Sequence, residues 1–150
     1  MYIAGRDEEV YRWTSERRDL TVEEFVTANE YFDGVSGVYG FAIADVESDA
    51  PLGHLPVSIV EDIAEIAYWL APSARGRGVL AEALCLLLEW LPSVGVARGV
   101  LETHPENWPS RRAAEAAGFA FVGDRPSAKP YADTGYVTVF ERALTDELRP

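Results

Sequence analysis

AEIAYWLAPSARGRGVLAEAL, residues 64–84, passes from an apolar strand (Ala64 to Leu70) through a glycine-rich turn into a leucine-rich helix (Val79 to Leu91). The turn reads Arg75-Gly76-Arg77-Gly78. A helix N-terminus carries unpaired backbone N–H groups and the positive end of the helix dipole, so it is a ready site for a phosphate. Gly76 and Gly78 let the backbone close on such an anion where a side chain would hold it off. The loop lacks the lysine and hydroxyl residue that a Walker-type nucleotide site needs for phosphate and magnesium.

Working outward, a second loop-helix junction follows in LETHPENWPSRRAAEAAGF, residues 101–119, where Asn107-Trp108-Pro109-Ser110 opens a short helix. Strand, glycine turn, helix, strand and Asn-x-x-Ser arrive in the order of the GNAT superfamily of acetyl-CoA-dependent N-acyltransferases. The chain resembles most the branch acting on ribosomal-protein N-termini and similar amines. That superfamily's pyrophosphate loop runs Gln or Arg, two residues, Gly, one residue, then Gly or Ala. Here Arg75 and Gly78 match, and Leu80 departs from the small residue usual at the last position. The resemblance covers the C-terminal two thirds of the chain.

It implies an α+β fold with a mixed, mostly antiparallel sheet whose central parallel strands splay apart. Acetyl-CoA is the implied co-substrate. Its phosphates fall to Arg75, Gly76, Arg77, Gly78, Val79 and Leu80, and its pantetheine arm to backbone groups of Tyr68, Trp69 and Leu70. The reaction is direct attack of a neutral amine on the thioester. Amines are largely protonated at neutral pH, so a base or a water relay must take a proton. Glu65, at the family's glutamate position, is the first candidate for that base, or else a solvent-facing strand residue; Glu102 is the second. Ser110 either protonates the leaving thiolate or is only a first-turn helix residue. Asn107 grips the pantetheine amides, caps the helix, or does both. Tyr131 and Tyr136 lie where such enzymes close over substrate and are alternative proton donors. The alternative function is a non-catalytic acyl-CoA-binding or regulatory domain of the same fold.

The rest of the chain reads as helices at Asp7 to Thr14 and Thr21 to Phe32, the second opening with a Thr21/Glu24 capping box. Asp33-Gly34 and Ser36-Gly37 break the chain, and Tyr39 to Val46 with Leu55 to Val60 forms a hairpin. Strands at Gly99 to Thr103, Ala120 to Gly123 and Tyr136 to Arg142, and a helix from Ser110 to Ala117 closed by Gly118, complete about six main strands. No linker is visible, so residues 1–150 read as one domain. Only Met1 to Arg6 precede the first helix, leaving no room for the first strand and helix usual in this branch. The Tyr39 to Val46 edge is therefore expected to be open, patched by Met1 to Ala4, or covered by a second copy in a homodimer.

Composition limits the alternatives. With 150 residues, 48% of them hydrophobic, the chain can bury a core without staples. No apolar run is long enough to span a bilayer and no secretory h-region is present, so a cytoplasmic protein without membrane contact is expected. A net charge of −12 argues against nucleic acid; it either steers a cationic amine or a basic peptide toward the protein or only keeps the protein in solution. The single cysteine, Cys85, excludes an internal disulfide and reads as a small core residue. No Cys/His cluster suggests a metal. His54 and His104 read as surface or hydrogen-bonded loop residues and not as bases. Trp13, Trp69 and Trp108 are candidates to line an amine pocket, and Trp90 reads as packing.

Overall fold

The computed structural model describes residues 6–33 and 37–145. Two helices come first, α1 (Glu8–Trp13) and α2 (Val22–Asp33). Asp7 caps α1, accepting the Val10 N–H at 3.2 Å. The capping box expected of α2 is present: Thr21 N–H donates to Glu24 Oε2 at 2.9 Å, and Glu24 N–H donates to Thr21 Oγ1 at 3.2 Å. Such reciprocal bonds satisfy backbone donors that have no partner inside the helix.

The hairpin follows as β1 (Val38–Ala44) and β2 (Pro51–Val60). Asp45 turns the chain by accepting the N–H groups of Glu47 and Ser48 on Oδ1. β2 starts four residues before the expected Leu55 because it has partners on both sides there. Gly53 faces Ile43 of β1 and Leu70 of β4 (Trp69–Leu70), and His54 faces Ala42 and Trp69. A Cβ on Gly53 would lie 2.3 Å from the Trp69 carbonyl oxygen, so only glycine permits this approach.

The apolar strand expected over 64–70 is broken in two. β3 (Ile63–Ile66) pairs parallel with β5 (Arg98–Thr103) from Ile63↔Arg98 to Ile66↔Leu101, and there the pairing stops. β3 also pairs antiparallel with β2, and past Ala67 and Tyr68 the chain stays on β2 as β4. Keeping one neighbour while losing the other opens a gap, which is the splay.

Between the parallel strands runs α3 (Val79–Trp90). Leu84, Leu87, Leu88 and Leu91 are buried at i, i+3, i+4 and i+7 spacing. Cys85 sits one residue round from that stripe and is exposed, against the expectation of a core residue. Trp90 does pack, edge-on to Tyr39 and Phe41 at 5.1 and 5.4 Å between ring centroids. Then come α4 (Trp108–Ala116), β6 (Ala120–Pro126) and β7 (Tyr136–Ala143). β6 runs beyond Gly123 because that glycine, with a φ of 151°, marks a bulge in the pairing with β7 and not the strand's end.

The sheet order is β1-β2-β3-β5-β7-β6, with β4 added beside β2. Alternation gives it two faces. Leu55, Val57, Ala64, Ile66, Leu101 and Phe140 pack with the α3 leucines and Ala114 of α4. On the opposite face Val100, Val137 and Val139 pack with Ala132 and Tyr131 of the β6–β7 loop. Among the described residues, β1 has no strand on its outer side. The expected patch from Met1 to Ala4 lies outside the described residues.

Candidate functional site

The gap where β3 and β5 separate is a cleft of about 440 Å³. Ile66, Ala67, Tyr68, Trp69 and Leu70 form one wall, and Leu101, Glu102 and Thr103 the other. Arg75 and Leu80 close the end near α3, and Asn107, Pro109 and Ser110 come from the start of α4. Val10, Trp13 and Thr14 of the α1 region and Tyr131 of the β6–β7 loop face them.

Asn107 caps α4, accepting the Ser110 N–H on Oδ1 at 3.3 Å, which leaves its amide NH₂ as a donor. The Tyr68 phenol reaches the same serine, 2.7 Å from its Oγ and 3.2 Å from its carbonyl oxygen. Burial pushes the phenol pKa up to about 12, with the Ser110 hydrogen bond pulling the other way. Thr103 is 4% exposed, and its Oγ1 has no hydrogen-bond partner among the described residues. A buried hydroxyl in that state fits a ligand that brings a polar group into the cleft.

At the head of α3, Gly76 and Gly78 have φ of 69° and 76°, a left-handed backbone that glycine adopts without strain. No protein atom lies within 4 Å of where either Cβ would be, so room exists beside the turn. Gly76, Arg77, Gly78 and Val79 sit at the rim and do not line the cleft. Both loop arginines already have partners. Arg75 makes a two-pronged pair with Asp7 at 2.8 Å for each bond and donates to the Leu70 carbonyl at 2.9 Å. Arg77 bonds the Ser73 carbonyl at 3.1 Å and lies 3.8 Å from Asp45.

Glu65 does not line this cleft. It is exposed on the other face of the sheet, in a depression of about 230 Å³ with His54, Ser58 and Tyr39. The two openings share Pro56, Ile66, Ala67, Glu102, Lys129 and Tyr131, so they meet at the strand break. Glu102, its side chain 6% exposed, is ion-paired with Arg125 and Lys129, so its carboxylate is already engaged. Burial depresses the His54 pKa to about 4, which keeps the imidazole neutral.

His104 is a hydrogen-bonded loop residue, as one of the two expected readings had it, and it is buried. Its Nδ1 accepts the Glu106 N–H at 3.0 Å, so the ring proton sits on Nε2, 2.6 Å from Asp133 of the β6–β7 loop. That bond holds the Asp133 carboxyl below its usual range. Trp13 lies against the same ring, at 5.0 Å between centroids. Of the other aromatic candidates, Trp69 and Tyr131 line the cleft, while Trp108 and Tyr136 are exposed and outside it.

The Tyr68 phenol, Thr103 and Asp7 were missed as site residues. For Tyr68 a signal existed: with Ala64 and Ile66 it keeps the parity that faces α4. Thr103 likewise shares parity with Leu101. Nothing in sequence pairs Asp7 with Arg75, which is 68 residues away.

An acetyltransferase (GNAT) domain family matches residues 1–120. A comparison with curated proteins found no match. Among solved structures, ribosomal-protein-S5-alanine acetyltransferase from Vibrio fischeri is 16% identical with a TM-score of 0.83, over 99% of this chain and 87% of that one. Spermidine N-acetyltransferase from Vibrio cholerae, in complex with CoA and spermine, is 14% identical with a TM-score of 0.79, over 93% and 85%. A GCN5-related N-acetyltransferase from Brucella melitensis is 25% identical with a TM-score of 0.77, over 95% and 69%.

Proposed function

Because the chain belongs to the GNAT acetyltransferase family, we propose that it moves an acetyl group from acetyl-CoA to a primary amine by direct attack, with residues 1–150 acting as one domain. The observation that carries this reading is the cleft at the strand break, with a helix N-terminus at one end and the Tyr68–Ser110 pair inside it. Acetyl-CoA supplies the activated acyl group.

The residues fit its parts. N–H groups at the head of α3, beside the room at Gly76 and Gly78, suit the pyrophosphate. Backbone groups of Tyr68, Trp69 and Leu70 and the Asn107 amide suit the pantetheine arm. Glu65 stands on the other side of the break, where an amine arriving from the opposite face can lose its proton directly or through water. Ser110 offers a hydrogen bond to the leaving sulfur.

Similar folds include ribosomal-protein acetyltransferases and a spermidine acetyltransferase. With the net charge of −12, this supports a peptide N-terminus or a small cationic amine as acceptor. Among the described residues no strand covers the outer side of β1, which supports a homodimer at that edge; sedimentation at micromolar concentration reads it directly. The decisive assay for function is release of free CoA thiol from acetyl-CoA across a panel of polyamines and peptides with free N-termini. Turnover with at least one amine is expected. Tight binding of acetyl-CoA with no thiol release across the panel would favour a binding or regulatory domain.

A further inference from the structure

Ser110 is held at three atoms. Its N–H goes to Asn107 Oδ1 at 3.3 Å, and its carbonyl oxygen and Oγ both lie in reach of the Tyr68 hydroxyl, at 3.2 and 2.7 Å. A phenol has one proton to give, and the carbonyl can only accept. The serine hydroxyl can therefore rest by donating to the phenol oxygen while the phenol donates to the carbonyl. A thiolate placed in the cleft is an acceptor without a donor. Its arrival rewards a small rotation of both hydroxyls, after which Ser110 donates to sulfur and Tyr68 donates to Ser110 Oγ.

We propose that Tyr68 is a positioning residue for the leaving sulfur, its hydroxyl fixing that of Ser110 so that the serine's single proton is presented to the thiolate of CoA. The inference rests on the cofactor reading given above. In the transfer, the amine nitrogen bonds to the thioester carbon, the C–S bond breaks and its electron pair stays on sulfur. The amine's proton leaves toward Glu65 or water. Neither Ser110 nor Tyr68 gives up its proton; each donates a hydrogen bond, so the pair needs no recharging between turnovers. With its pKa raised to about 12 by burial, the phenol stays a donor across the working pH range. Chains of hydrogen bonds polarise one another, so the second donor strengthens the first.

The test reads the sulfur, not turnover. Affinities for CoA and for desulfo-CoA are measured from pH 6 to 9 in wild type, Tyr68→Phe, Ser110→Ala and the double variant. Phenylalanine keeps the ring, and the serine variant probes the same bond from the other side. In wild type the preference for CoA over desulfo-CoA should grow with pH as the thiol ionises. Each single variant should lose roughly tenfold of that preference, as for a hydrogen bond to a charged group. The double variant should lose no more than Ser110→Ala alone. A Tyr68→Phe protein that weakens both ligands equally, or keeps the wild-type preference, overturns the role of Tyr68 while leaving the cofactor reading intact. If wild type binds neither ligand, the cofactor reading fails and the inference falls with it.

Discussion

At the scale of single residues, Thr103 and Glu65 separate binding from chemistry. A buried hydroxyl without a partner costs about 1–3 kcal/mol, and valine has nearly its shape. Thr103→Val should therefore stabilise the free protein by about 1 kcal/mol, a rise in Tm of roughly 2–4 °C at this size. It should also weaken acetyl-CoA, because the hydroxyl's partner is expected on the ligand. A fall in Tm would mean that the hydroxyl is already satisfied. Glu65→Gln should leave acetyl-CoA affinity unchanged and lower kcat on the order of 100-fold near neutral pH. The deficit should narrow at high pH, where the amine is already neutral. Equal rates for variant and wild type at neutral pH would remove Glu65 from the base role. Ser110 and Asn107 were legible as cleft residues through the Asn-x-x-Ser resemblance, and both line the cleft. The Tyr68 phenol was not, since its role depends on a helix 42 residues away.

At the scale of elements, the α3 N-terminus is where cofactor binding is most exposed to a single change. Gly78 caps α3 with a φ of 76°, and the turn before it faces open space. Gly78→Glu puts a side chain in a left-handed conformation, which costs about 1–2 kcal/mol, and sets a negative charge where phosphate oxygens are expected. Acetyl-CoA should raise the Tm of wild type by mass action and leave that of the variant unmoved. A full ligand-induced rise in Gly78→Glu would reject the loop as the phosphate site. The elements legible in sequence were those with their own punctuation, such as the Thr21/Glu24 box; the turn that Asp45 makes was read as the end of a strand running to Val46. The break at Ala67 and Tyr68 has no punctuation. Ile66, Ala67, Tyr68 and Trp69 read as one strand, and only the pairing of Gly53 with Leu70 decides that the strand leaves β5. A glycine likewise misled at 123, where a bulge and a strand end look alike from one chain.

At the scale of the whole molecule, acid should loosen the fold well before its carboxylates titrate. His54 lies mid-sheet between Ala42 and Trp69 with Phe25 of α2 over it, at 6.1 Å between rings. Burial depresses its pKa from 6.5 to about 4. The unfolded chain takes up a proton near pH 6.5 and the folded one does not, so His54 contributes stability that is present above 6.5. That contribution is lost as the pH falls toward 4. The gap corresponds to on the order of 3 kcal/mol, a large part of a typical domain's stability. Asp7, held down chiefly by Arg75, and Asp133, held down chiefly by His104, have depressed values as carboxylates. Their contributions are present above about 3.8 and fade only below it. The window from 6.5 to 4 therefore belongs to the histidine. Urea unfolding at low protein concentration, to keep clear of aggregation near the pI of about 4.5, should show the midpoint falling through that window in wild type. In His54→Gln the midpoint should stay nearly flat from pH 6.5 to 5. A wild-type midpoint equally flat would mean that His54 is protonated in the folded protein, and that the sheet at β2 accommodates its charge.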